Sequence, residues 1–133
     1  MNNFKRLSQN AHWLLRIAIA SVFIYHGMTK FPMLGKLAAM MKMPVMMIAL
    51  LASMETAGGL LVLTGGFLKP VVTRIGTVLL APVMLGAIFM MHWGQWSFMV
   101  SKTHPMGGME FQVTLLLVII YLFVIGNPAD ESA

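Results

Sequence analysis

Six ionisable side chains of this sequence stand within or beside long apolar stretches: Arg16, His26, Lys30, Glu55, His92 and Glu110. In hydrocarbon a lone charge is expensive, so each group must find a partner, give up its charge or reach an interface. His26 and Lys30 lie four residues apart, hence on one helical face, and Glu55 falls within reach of that face. Burial and a neighbouring cation act on a carboxylate's proton affinity in opposite senses, which is the tuning that proton handling needs. The chemistry expected is proton exchange by Glu55 and His92, with His26, Lys30, Glu110 and Arg16 binding a small redox headgroup in an intramembrane polar pocket. The competing expectation is structural. Glu55 paired with Lys30, His26 or Arg16 would only fix helix register, and His92 and Glu110 would simply be solvated at an interface.

The elements that must position these groups are apolar helices. Of 133 residues, 59% are hydrophobic and 10% charged, and the mean hydropathy is +0.83. A soluble domain carries about a quarter charged residues, so most of this exterior must face lipid. Apolar spans are read at 13–34, 45–67, 71–93 and 109–125. With a rise of about 1.5 Å per residue, each covers most or all of a hydrocarbon core roughly 30 Å thick. The fold class predicted is all-α, a polytopic membrane protein with a four-transmembrane-helix bundle and a single domain over 1–133.

Arg16 and Lys30, near opposite ends of the first span, are expected to snorkel to the interfaces. The connection 35–44, with Lys36, Lys42 and several methionines, reads as a short interfacial helix. Gly65, Gly66, Lys69 and Pro70 form a turn, Pro82 predicts a kink in the third span, and 94–108 reads as a polar connection. Gly126, Asn127 and Pro128 end the fourth span. His12 and His104 are expected to be solvated, and Trp13, Trp93, Trp96 and Tyr121 to be interface anchors. Gly58, Gly59, Gly65, Gly76, Gly86 and Ala87 predict close helix packing.

Lys5 and Arg6 before an apolar run resemble a secretory signal. The run is long enough to span and has no Ala-x-Ala site after it, so an uncleaved first helix in the cell (inner) membrane is expected. An even number of crossings puts both termini on one side, and a nearly tied count of basic residues is read as cytoplasmic.

Several chemistries drop out. No cysteine is present, so disulfides, thiolates and iron-sulfur clusters are excluded. The net charge of +5 comes from nine scattered Lys and Arg residues, with no run suited to nucleic acid. No zinc, calcium or phosphate-loop spacing occurs, and no metal site is assigned. Fifteen methionines, with Met40, Met41, Met43, Met46 and Met47 crowded in one place and Met90 and Met91 beside His92, suggest copper(I) or another small solute as an alternative cargo. Met is also a flexible apolar filler.

Leu14-Leu15-Arg16, His26-Gly27 with Lys30, Glu55 with Gly58-Gly59, His92, and Gly107-Gly108 with Glu110-Phe111 follow one another on four apolar spans. In this the chain resembles the DoxX family of membrane proteins over nearly its whole length. The resemblance implies a four-helix membrane fold related to the membrane subunit of thiosulfate:quinone oxidoreductase, with quinone as the implied cofactor. The chain has no cofactor motif of its own, so an oxidoreductase subunit of this kind would need a soluble or membrane redox partner bearing a flavin, haem or metal. A noncatalytic assembly or scaffold subunit, and an oligomer, are also compatible with these residues. The methionine-rich connection departs from the family pattern.

Overall fold

A computed structural model of the chain describes residues 2–127. The described residues form helices and connections, with no strand among them. They run as α1 (Asn2–Asn10), α2 (His12–Lys30), a 3-10 turn (Phe31–Met33), α3 (Leu34–Met41), α4 (Val45–Gly65), α5 (Pro70–Ala87), a π-helical turn (Ile88–His92) and α6 (Glu110–Ile125). Pro44 and Pro70 mark the starts of α4 and α5, where a missing N–H costs nothing. Lys42 closes α3 in the left-handed conformation with φ 52°.

α2 packs on α4, α4 on α5 and α5 on α6, and α6 returns to α2. Periodicity explains which faces turn inward. In α6 the buried residues are Leu115, Ile119 and Leu122, and in α4 they are Ile48, Ala52, Glu55, Gly58, Gly59, Val62 and Gly65. Both sets recur at intervals of three and four, one stripe of a helix. Ile19 and Phe23 of α2 meet Val62, Leu80, Val83, Met84 and the α6 stripe in the core. The opposite faces carry Leu14, Ile17, Leu50, Leu60, Ile75, Val78, Leu117 and Val124, all exposed. An apolar exterior around an apolar interior is what a bilayer solvent permits and water does not.

In lipid, helices are held by close packing and polar links rather than by hydrophobic burial. Gly58 and Gly76 provide such packing between α4 and α5: a Cβ on Gly76 would lie 2.9 Å from the Gly58 carbonyl oxygen.

Three helical segments, Asn3–Met41, Val45–Gly65 and Pro70–His92, are long and apolar enough to cross a membrane. The fourth, α6, is apolar but has only 16 residues, about 24 Å at the usual rise. The expected span at 109–125 is thus a short one. α1 carries Phe4 and Leu7 exposed on a polar helix, a feature not read from the sequence. α5 runs through Pro82, which sits on its exposed face. Pro128, part of the expected breaker, lies outside the described residues.

Candidate functional site

The six ionisable residues do not converge on one pocket. The structure sorts them into three places, and one of them, His26, joins none.

Arg16 lies at the end of the bundle where α2 begins and α6 finishes. It does not snorkel: it is 0% exposed. Its Nε donates to His12 Nδ1 at 2.9 Å, Nη1 to the Val62 carbonyl at 2.7 Å and Thr73 Oγ1 at 2.8 Å, and Nη2 to the Gly126 carbonyl at 2.6 Å and Asn127 Oδ1 at 2.7 Å. A guanidinium has five N–H groups, and all are used. Val62 stands in the last turn of α4, where Gly66 N–H turns to the Leu63 carbonyl instead. Gly126 follows the last residue of α6. The cation therefore sits at two helix C-termini, where carbonyl dipoles carry partial negative charge, which explains how it is buried among neutral acceptors. Asn127 Nδ2 also donates to the Gly65 and Leu68 carbonyls, binding the end of α6 to the α4–α5 turn. The snorkelling expectation fails because the interior offers an acceptor to each of the five Arg16 N–H groups. His12, expected to be solvated, is buried for the same reason.

Lys30 and Glu55 form the second place. Lys30 Nζ lies 2.5 Å from Glu55 Oε2, and their side chains are 24% and 8% exposed. Nζ also donates to the His26 carbonyl at 3.1 Å, in the last turn of α2. Glu55 faces inward, as its cost in hydrocarbon demands, and joins α4 to α2. The His26 ring is exposed and meets Tyr25 edge-on at 5.6 Å. Among the described residues, no hydrogen bond or ion pair links His26 to Glu55, or Glu55 to His92 or Glu110.

His92 and Glu110 belong to the third place. His92 ends the π-helical turn and is 7% exposed. Its Nδ1 lies 2.9 Å from the Gly107 carbonyl, which can only accept, so Nδ1 carries the proton. Nε2 lies 3.0 Å from Gln112 Nε2 and accepts from it. That commitment leaves Gln112 Oε1 buried without a partner. Gln112, Glu110, Phe111, Thr114, Phe98 and Met106 line a recess of about 490 Å³ along the start of α6. Glu110 Oε2 accepts from Phe98 N–H at 3.2 Å, and the carboxylate stands in the first turn of α6, where the dipole favours it.

The connection 94–109 holds this place together. The connection read as polar over 94–108 also folds on itself: Gly108, Met109 and Glu110 N–H groups donate to the Ser97, Gln95 and Trp96 carbonyls, and the half-exposed His104 donates from Nε2 to the Trp93 carbonyl at 2.7 Å. Gly107 has φ 79° and lies against the Phe98 carbonyl, so a side chain there would be both strained and obstructed.

Sequence reasoning missed Gln112, Thr73 and Asn127. The four-residue step from His12 to Arg16 was a usable signal for the first cluster. Nothing in the sequence distinguished Gln112 from a solvated residue. Met40, Met46, Met47 and Met90 are exposed on the helix surfaces.

No solved structure matches this chain. A protein of Bacillus subtilis (strain 168) named "Putative oxidoreductase CatD" is 33% identical over 117 residues, covering 86% of this chain and 78% of its own length. The family model DoxX matches residues 11–93, a stretch that holds Arg16, His26, Lys30, Glu55 and His92 but stops before the connection and α6. Taken with three helices able to cross a bilayer, this match over more than half of the sequence shows that the chain is a multi-pass membrane protein of the DoxX family.

Proposed function

We propose that the chain is the membrane subunit of a quinone-linked redox system in the cell (inner) membrane, and that it takes a quinone headgroup in the recess beside α6. The observation that carries this reading is that Gln112, a residue lining that recess, has a buried Oε1 without a partner and is hydrogen-bonded to a buried histidine. A buried acceptor left without a donor costs roughly 1–3 kcal/mol, a cost that a ligand hydroxyl would remove. Phe98, Phe111 and Met106 supply apolar walls for a flat ring. The similarity to a protein named as an oxidoreductase agrees with a redox role.

The amide of Gln112 can serve both states of such a headgroup. With His92 neutral, the amide gives its NH2 to Nε2 and keeps Oε1 for a quinol hydroxyl. With His92 protonated, the amide turns, Oε1 accepts from Nε2–H, and the NH2 group faces a quinone carbonyl. The His92–Gln112 pair thereby offers the headgroup an acceptor in one orientation and a donor in the other. The electrons come from a partner carrying its own flavin, haem or metal. In this reading Lys30–Glu55 fixes helix register, and the shared end of α2 and α6 lies on the cytoplasmic side.

The test is the quinone retained by protein purified in mild detergent, extracted and quantified. Gln112→Leu and His92→Phe are expected to lower it about tenfold, the equivalent of ~1.4 kcal/mol. Glu55→Gln is expected to keep it wherever the variant folds. Loss in Glu55→Gln alone would move the site to the Lys30–Glu55 pair between α2 and α4. No quinone in any form would leave a scaffold subunit, for which the saturated Arg16 cluster speaks.

A further inference from the structure

The surface of the connection 94–109 reads differently from its hydrogen bonds. Phe98, Met99 and Val100 are 66%, 66% and 71% exposed, and Trp93, Trp96 and Met106 are exposed beside them. A loop in water seldom presents such a run of large apolar groups. Its backbone, by contrast, is turned inward on itself. Besides the three bonds that tie it to the start of α6, Ser101 and Gly107 N–H donate to the His104 carbonyl. Phe98, Met99 and His104 N–H donate to Glu110 Oε2, Ser97 Oγ and Ser101 Oγ. Gln95 Nε2 donates to the Ser97 and Met99 carbonyls, and its Oε1 accepts from Ser101 Oγ. Water-exposed loops leave such groups to solvent. A loop within a membrane must satisfy them itself.

The length of α6 supplies the reason. Its 16 residues reach about 24 Å, roughly 6 Å less than the hydrocarbon core they have to cross. The segments flanking α6 and the local bilayer make up that distance, and at the start of α6 the flanking segment is the connection. We infer that residues 94–100 and 105–109 are a lipid-inserted loop, seated at the boundary of acyl chains and headgroups, with Ser101, Lys102 and Thr103 emerging into the polar layer. The bilayer itself is the occupant of the apolar surface. The order along the chain fits: tryptophans at 93 and 96 mark the interface, the apolar run 98–100 enters the lipid, and the exposed Lys102 that follows reaches the phosphates. The insertion is independent of whether the recess takes a quinone.

The absence of cysteine makes the test direct. Met99→Cys, Val100→Cys and Lys102→Cys, each carrying a nitroxide, are reconstituted as full chains in phosphatidylcholine vesicles, with Leu117→Cys on the exposed face of α6 as the lipid reference. All four side chains are exposed, so labelling does not disturb the core. Collision with oxygen, which concentrates in lipid, is compared with collision with a water-soluble nickel chelate. Labels at 99 and 100 are expected to match Leu117, with an oxygen-to-nickel ratio several-fold above that at Lys102. Ratios at 99 and 100 several-fold below that at Leu117 and equal to that at Lys102 would place the loop in water and overturn the inference. Shielding of both labels from both reagents would also overturn it, and would assign the surface to a second copy of the chain.

Discussion

The two ends of this bundle treat their buried polar groups in opposite ways. At the Arg16 end every N–H of the guanidinium is matched, and the acceptors come from α2, α4, α5 and the residues that follow α6. At the His92 end the chain is equally ordered, yet one buried acceptor, Gln112 Oε1, is left over. Each is a polar cluster inside an apolar protein, and composition alone makes them equivalent. The difference is saturation. A closed network stabilises the fold and offers nothing to a ligand, whereas an open one beside a recess holds a hydrogen-bonding position in reserve.

The strongest way to break this comparison is to remove Arg16. In Arg16→Leu, His12 Nδ1, Thr73 Oγ1 and the Val62 and Gly126 carbonyls lose the Arg16 donor, and Asn127 Oδ1 keeps only the Thr73 hydroxyl; at about 1–3 kcal/mol for each buried unpaired group the bundle should lose at least ~3 kcal/mol. The expected outcome is little folded protein on size-exclusion chromatography in detergent, or a steep fall in thermal midpoint. Arg16→Lys is expected to rescue little, because a single ammonium nitrogen cannot reach acceptors at two helix ends in the plane a guanidinium covers. An Arg16→Leu protein as stable as the parent would show that the cluster is not what joins the helices.

That prediction also marks how far the sequence could be read. The four apolar stretches and the inward turn of Glu55 follow from the cost of charge in hydrocarbon, which needs no coordinates. Lys30 was among the partners within reach of Glu55 for the same reason. The fate of Arg16 was not legible, since snorkelling and burial differ only by which acceptors the interior provides. Those acceptors are carbonyls of Val62 and Gly126, residues whose side chains give no hint. The site at the other end was half legible. His92 and Glu110 were visible as ionisable groups at span ends, but a folded connection between them depends on backbone pairing across Gly107 and Gly108. Nothing in the spacing of those two glycines indicated a loop that closes over a histidine.

A second, smaller effect sharpens the comparison at a cluster between the extremes. Lys30–Glu55 is partly buried and has one further bond, from Nζ to the His26 carbonyl. A double-mutant cycle with Lys30→Met and Glu55→Gln should return a coupling of about 1–2 kcal/mol, above an exposed pair and below a sealed one. Glu55→Gln alone should be the milder single change, because it leaves no bare carboxylate in the bundle. A coupling near zero would mean that each group is served by lipid headgroups or water, and that helix register rests on the glycine contacts alone.

The smallest effect is expected at His26, and it separates sequence proximity from structural participation. Its spacing from Lys30 suggested a shared site, but a helix face is about 100° wide and the two residues use it differently. Lys30 leans inward to Glu55, and the His26 ring lies outside against Tyr25, contributing to the ion pair only through its main-chain carbonyl. A main-chain acceptor survives any side-chain change. His26→Ala should therefore move the thermal midpoint by no more than an ordinary surface substitution, within about 0.5 kcal/mol, and leave retained quinone unchanged. A loss of quinone in His26→Ala with the fold intact would place a headgroup on the outer face of α2, and would make the open cluster at the other end a second polar site rather than the binding one.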